Sequence, residues 1–125
     1  CRNSQGTSLG SQRLNFMNNW NLFLDDERIP YYVDPNRQHA WRIAPNLTIA
    51  KYMVQTFGMP YFISFDHDLG PNEDAMMFLR WLAYEYYDES KGHKIPNYQI
   101  HSSNPEGCKN IDAFMKSWKK SQSLP

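Results

Sequence analysis

Residues 61–70 read YFISFDHDLG, a short apolar run that ends abruptly in Asp66-His67-Asp68. Such a run, bounded by turn formers, is the pattern of a buried strand over Tyr61 to Phe65, and the charge set at its end marks where the chain leaves the sheet. The same grammar recurs on both sides. Residues 21–24 (NLFL) run into Asp25-Asp26, and Tyr98 to Ile100 run into His101-Ser102-Ser103-Asn104. A shorter run, Trp41 to Ala44, reads as a further strand. Helical patterns lie between. Asn46 caps a helix with Leu47, Ala50, Val54 and Phe57 on one face, closed by Gly58. Asn72 or Glu73 opens a second, striped by Ala75, Phe78, Leu79, Leu82 and Tyr86. Asn104-Pro105 opens a third, over about residues 107–120, which buries Ile111, Phe114 and Trp118. Lys116, Lys119 and Lys120 fall in its last turn and beyond, where cations suit the negative helix end. Residues 27–40, with Pro30 and Pro35, read as a long loop. Strands interleaved with helices predict an α/β domain on a short, mostly parallel sheet of about four strands.

Composition bounds the function. The chain has 125 residues, 41% hydrophobic and 21% charged, the size of one domain that can hold a core without metal or disulfide staples. Its apolar runs are far too short to span a bilayer. Thirteen basic groups balance thirteen acidic ones, which argues against a long duplex nucleic acid and for a small ligand or an RNA end. Residues 1–16 are polar, hold Arg2 and Arg13 and no acid, and are set aside as a disordered leader or tag-like segment; residues 17–125 are the expected domain. Only Cys1 and Cys108 are present, too few for a disulfide framework, so a reducing, cytoplasmic setting is expected.

Carboxyl ends of parallel strands share one rim, where open α/β sheets bind ligands. That rim would display Asp25, Asp26, Arg28, Asp66, His67, Asp68, His101, Ser102 and Asn104. Three or four carboxylates in a small volume repel one another, and a hard divalent cation relieves the repulsion. Asp25, Asp26, Asp66 and Asp68 are therefore the candidate metal ligands, with Asp68 also suited to capping a turn. His67 and His101 titrate near neutrality and could serve as base and acid on opposite sides of a phosphodiester, or ligate a transition metal. Ser102, Ser103, Asn104 and Gly107, at the start of the last helix, form a candidate phosphate cradle; capping alone is the competing role for Asn104. Arg28 either clamps a phosphate or neutralises Asp25 and Asp26. Arg42, with Trp41, would flank the rim from the second strand.

Together LFLDDERIP (22–30), WRIA (41–44), ISFDHDLG (63–70) and IHSSNPEG (100–107) resemble the cyclic-phosphate processing receiver domain family, a divergent branch of the response-regulator receiver fold. The resemblance runs from about Asn21 to Trp118. It implies a flavodoxin-like three-layer sandwich, with Asp25 and Asp26 as the acidic pair after the first strand. Asp66 falls at the phosphate-accepting position and Ser102 near the hydroxyl after the fourth strand. After the helix at 107–120 no fifth strand bearing the receiver lysine is expected, and the loop at 27–40 is expected to replace the first receiver helix. The resemblance therefore implies a metal-assisted phosphoesterase acting on RNA 2′,3′-cyclic phosphate ends or small cyclic nucleotides. Mg²⁺ or Mn²⁺ is the expected cofactor, and His67, His101 and Asp66 are the expected catalytic residues. A covalent phosphate on Asp66 is a variant of that chemistry. Two other readings are a degenerate phospho-receiver and a non-catalytic module binding phosphate ligands or a protein.

Overall fold

A computed structural model of the chain describes residues 20–30 and 40–123. Four strands form one parallel sheet: β1 (Asn21–Leu24), β2 (Trp41–Ala44), β3 (Phe62–Phe65) and β4 (Asn97–Ile100), in the order β2-β1-β3-β4. Each is four residues long and in step with its neighbour, so that Leu24 stands beside both Ala44 and Phe65, and Phe65 beside Ile100. All four strands therefore end at one level. Three helices follow β2, β3 and β4: α1 (Leu47–Phe57), α2 (Ala75–Trp81) and α3 (Pro105–Ser123).

Period-two alternation divides the sheet into two faces. Leu22, Leu24, Ala44, Ile63, Phe65, Tyr98 and Ile100 form one core with Ala50 and Val54 of α1, Phe78 and Leu79 of α2, and Ile111, Met115 and Trp118 of α3. Among the described residues the helices thus lie on that one face. The other face carries Phe23, Trp41 and Phe62, whose rings meet edge to face at centroid separations of 5.7 Å. The long loop expected over residues 27–40 in place of the first receiver helix falls mostly outside the described residues, as does the expected leader.

The caps explain where helices begin. Asn46 Oδ1 accepts from the Ile49 amide, as the sequence predicts. The second helix starts at Ala75, later than expected, because Asp74 supplies the cap by accepting from Met77. Glu73 is used elsewhere: its side chain accepts from the Leu47 amide at the head of α1, and its carbonyl accepts from Leu69. After Trp81 the helix widens into a π-helical turn, Leu82–Tyr86, closed by the Tyr87 amide donating to the Leu82 carbonyl. Helix α3 runs to Ser123, so Lys116 and Lys119 stand inside it rather than at its end. Lys116 pairs with Asp112 one turn back, and Lys119 lies over the Tyr98 ring. Cys108 is a free, buried thiol, and no described helix is long and apolar enough to cross a membrane.

Candidate functional site

The level strand ends gather Asp25 and Asp26 after β1, Asp66 after β3 and His101 after β4. Asp25 is almost wholly buried and both its oxygens have partners. Oδ1 accepts from the amides of Glu27 and Arg28, which folds the loop after β1 into a tight turn. Oδ2 lies 2.9 Å from His101 Nε2 and 3.5 Å from Arg28 Nε. The Arg28 guanidinium reaches three strand ends. Besides Asp25 it stands 3.8 Å from Asp66 Oδ1 and donates through Nη1 to the His101 carbonyl at 2.6 Å. It therefore neutralises the aspartates, and because its side chain is 37% exposed, N–H groups remain for an incoming anion.

Asp66 differs from Asp25 in having few donors. Burial pushes its carboxyl up to about 6, and the neighbouring charges of Asp25 and Asp26 add to this; Arg28 and the His67 backbone amide oppose it. One ligand oxygen from each of Asp25, Asp26 and Asp66 lies within 4.8 Å of the others, a group that could hold a metal ion. The donor chemistry narrows the set. Asp25 already holds two backbone amides and His101 and lies beside Arg28, whereas Asp26 is exposed and Asp66 is lightly bonded. Asp26 and Asp66 therefore offer the freer oxygens, and Asp25 could add one of its own. Two carboxylates with retained waters suit a hard divalent cation.

The two candidate histidines are placed very differently. His101 is pressed flat against Phe23, with centroids 4.5 Å apart and planes within 7°, on the face away from the helices. Its Nδ1 is 2.7 Å from Ser64 Oγ and its Nε2 meets Asp25, so neither ring nitrogen is open to a ligand. Burial holds it below the usual histidine range, against the pull of Asp25. His67 packs on the other side, against α3. A Cβ on Gly107 would come within 2.3 Å of His67 Cγ, so Gly107 makes room for this ring. His67 Nδ1 lies 3.0 Å from Asp68 Oδ1, and Nε2 has no partner among the described residues.

Asp68 is not brought to the acidic cluster. It holds His67, it accepts from Asn104 Nδ2 at 3.3 Å, and these hydrogen bonds, His67 first, lower its carboxyl. Asn104 also caps α3 by accepting from the Gly107 amide, which removes one of the donors expected to cradle a phosphate. Ser102 is buried and accepts from the Asn104 amide through Oγ, while Ser103 is exposed at the rim. Arg42 is not at the rim at all. It lies two residues short of the strand end, and its guanidinium stacks 3.9 Å over Phe57 at the last turn of α1. Sequence reasoning missed Ser64, which bonds His101 from behind, and Gln99, which donates to Ser64; the signal was a serine in the otherwise apolar FISF.

A sequence model of the cyclic-phosphate processing receiver domain matches residues 20–117. The chain belongs to that family. No curated protein and no solved structure matches it. The parallel β2-β1-β3-β4 sheet with Asp66 at the end of β3 is the receiver arrangement expected from the motifs, and the cation beside the aspartates comes from Arg28 in the first loop.

Proposed function

We propose that this family member is a metal-assisted phosphoesterase that opens cyclic phosphates, on RNA 2′,3′-cyclic ends or on small cyclic nucleotides. The observation that carries the reading is the imidazole of His67, held by Asp68 through Nδ1 and bare at Nε2, one residue from Asp66 and its Arg28 partner. A carboxylate-held imidazole with one open nitrogen is built to take a proton from water.

Arg28 holds the phosphate oxygens with its remaining N–H groups, aided by exposed Ser103. His67 Nε2 takes the proton of the attacking water, and Asp68 stabilises the imidazolium so formed. The new P–O bond forms from the water oxygen and one ring P–O bond breaks; the proton held by His67 passes through solvent to the released alkoxide oxygen, leaving a free hydroxyl and a phosphomonoester. Asp26 and Asp66 would hold Mg²⁺ or Mn²⁺, which supplies Lewis-acid stabilisation of the phosphoryl charge. Three carboxylates opposed by one guanidinium leave a charge that one divalent ion balances. His101 in this scheme holds Asp25 and does not touch the substrate.

The test is a product assay with the full chain, a 2′,3′-cyclic-phosphate RNA end and a panel of cyclic nucleotides, in Mg²⁺, Mn²⁺ or EDTA. Metal-dependent ring opening that is lost in His67→Ala and Asp66→Asn supports the reading. A stable phosphate on Asp66 after treatment with a small phosphodonor, seen by intact mass without turnover, would instead make the domain a phospho-receiver. Phosphate-ligand affinity that survives loss of both histidines, again without product, would make it a binding module.

A further inference from the structure

Ser64 is a fully buried polar residue in an apolar strand, and no step of the proposed chemistry uses it. It stands beside Gln99 in the β3–β4 register, both on the face that carries Phe23. Gln99 Nε2 donates to Ser64 Oγ at 2.9 Å, Ser64 Oγ meets His101 Nδ1 at 2.7 Å, and His101 Nε2 meets Asp25 Oδ2 at 2.9 Å. The polarity of this chain is fixed from the Asp25 end and supported from the Gln99 end. An amide N–H can only donate, so Ser64 Oγ accepts from Gln99, which leaves its own hydroxyl hydrogen to serve Nδ1. At the other end Asp25 takes two backbone N–H groups and lies beside Arg28. That is a carboxylate, which can only accept. His101 must therefore carry its hydrogen on Nε2.

We infer that Ser64 and Gln99 are positioning residues of the site: by holding Nδ1 they fix the His101 ring whose Nε2–H pins Asp25, and through Asp25 they fix the turn that aims Arg28. The tautomer is a property of this chain of bonds whatever the domain hydrolyses; only the kinetic arm of the test rests on the proposed activity. Partners behind a ligating or charged group commonly change affinity or activity about 10- to 100-fold when removed.

The experiment uses the full chain labelled with ¹⁵N-histidine, and long-range proton–nitrogen correlation reads the tautomer of each ring at a fixed neutral pH. His101→Gln identifies the His101 signals. The wild type should show His101 with Nε2 protonated and Nδ1 bare. Ser64→Ala should keep Nε2 protonated against Asp25 but shift the Nδ1 resonance to that of an unbonded ring nitrogen, with a fall of about 10- to 100-fold in kcat/KM on a cyclic phosphate, and Ser64→Thr, which keeps the hydroxyl, should restore both. Gln99→Glu puts an acceptor where the donor stood, so the Ser64 hydroxyl turns toward it and Nδ1 loses its donor in the same way. A wild-type His101 protonated on Nδ1, alone or together with Nε2, overturns the inference. So does an unchanged Nδ1 resonance in Ser64→Ala; if that variant does not fold, Gln99→Leu gives the same decision from outside the core. The expected tautomers in a chain that opens no cyclic phosphate would sustain the inference and remove the hydrolase reading.

Discussion

His67 and His101 each follow the last strand-end residue, or lie one beyond it, on neighbouring strands of the same sheet, yet they lie on opposite faces and do different work. His67 leans on Gly107 of α3 with one nitrogen held by Asp68 and the other open. His101 is stacked on Phe23 with both nitrogens bonded to protein. The contrast teaches that residue type and position at a rim do not make a proton-transfer group. An imidazole that moves a proton to a ligand needs an unoccupied nitrogen and access; one that positions its neighbours needs neither.

The comparison breaks if His67 can be spared. His67→Ala should lower ring opening by about 10²- to 10⁴-fold with thermal stability close to wild type, measured by product formation and melting. His101→Ala should weigh on stability instead: removal takes one hydrogen bond from buried Asp25, which keeps Arg28 and two backbone amides, costing about 1 to 3 kcal/mol by denaturant unfolding. His101→Gln, which keeps an N–H near the Nε2 position, should recover part of it.

Asp66 sharpens the comparison through pH. Its folded carboxyl titrates at about 6 against an ordinary 3.8, so the folded state binds this proton more tightly than the unfolded one. The stability associated with protonated Asp66 is whole below the unfolded value and is lost as pH rises through about 6. Asp66→Asn should accordingly gain roughly 2 kcal/mol over wild type near pH 8 and nothing below pH 4, read from unfolding curves across pH. Added Mg²⁺ should raise the stability of the wild type at high pH and leave Asp66→Asn unmoved.

The smallest effect belongs to the orientation of His67. Asp68→Asn should cut turnover about tenfold with little change in KM. Gly107→Ala, by pushing the His67 ring, should give a similar loss while helix α3 stays formed, as judged by circular dichroism.

Much of this was legible in the sequence because it was local. Short apolar runs ending in charge located β1, β3 and β4, and Asn46 and Asn104 announced their helices directly. What was not legible depended on register or competition. Ser64 and Gln99 are thirty-five positions apart, and only strand pairing makes them neighbours behind His101. Arg42 looked like a rim residue until the register set it two positions below the strand end, within reach of Phe57. The start of α2 turned on which of three polar residues would cap it; Glu73 was drawn off to the head of α1, leaving Asp74. The lysines of α3 misled because the apolar stripe stops at Trp118 although the backbone helix continues to Ser123.

The reach of Arg28 has a consequence for motion. One side chain contacts groups at the ends of β1, β3 and β4, and its own amide, with that of Glu27, hangs on Asp25. These strand ends cannot fray singly without breaking a shared charged contact. Amide exchange at Glu27 and Arg28 should therefore follow one common opening event with the neighbouring strand-end amides of Asp66 and His101, making the rim a single cooperative unit and not a set of independent loops.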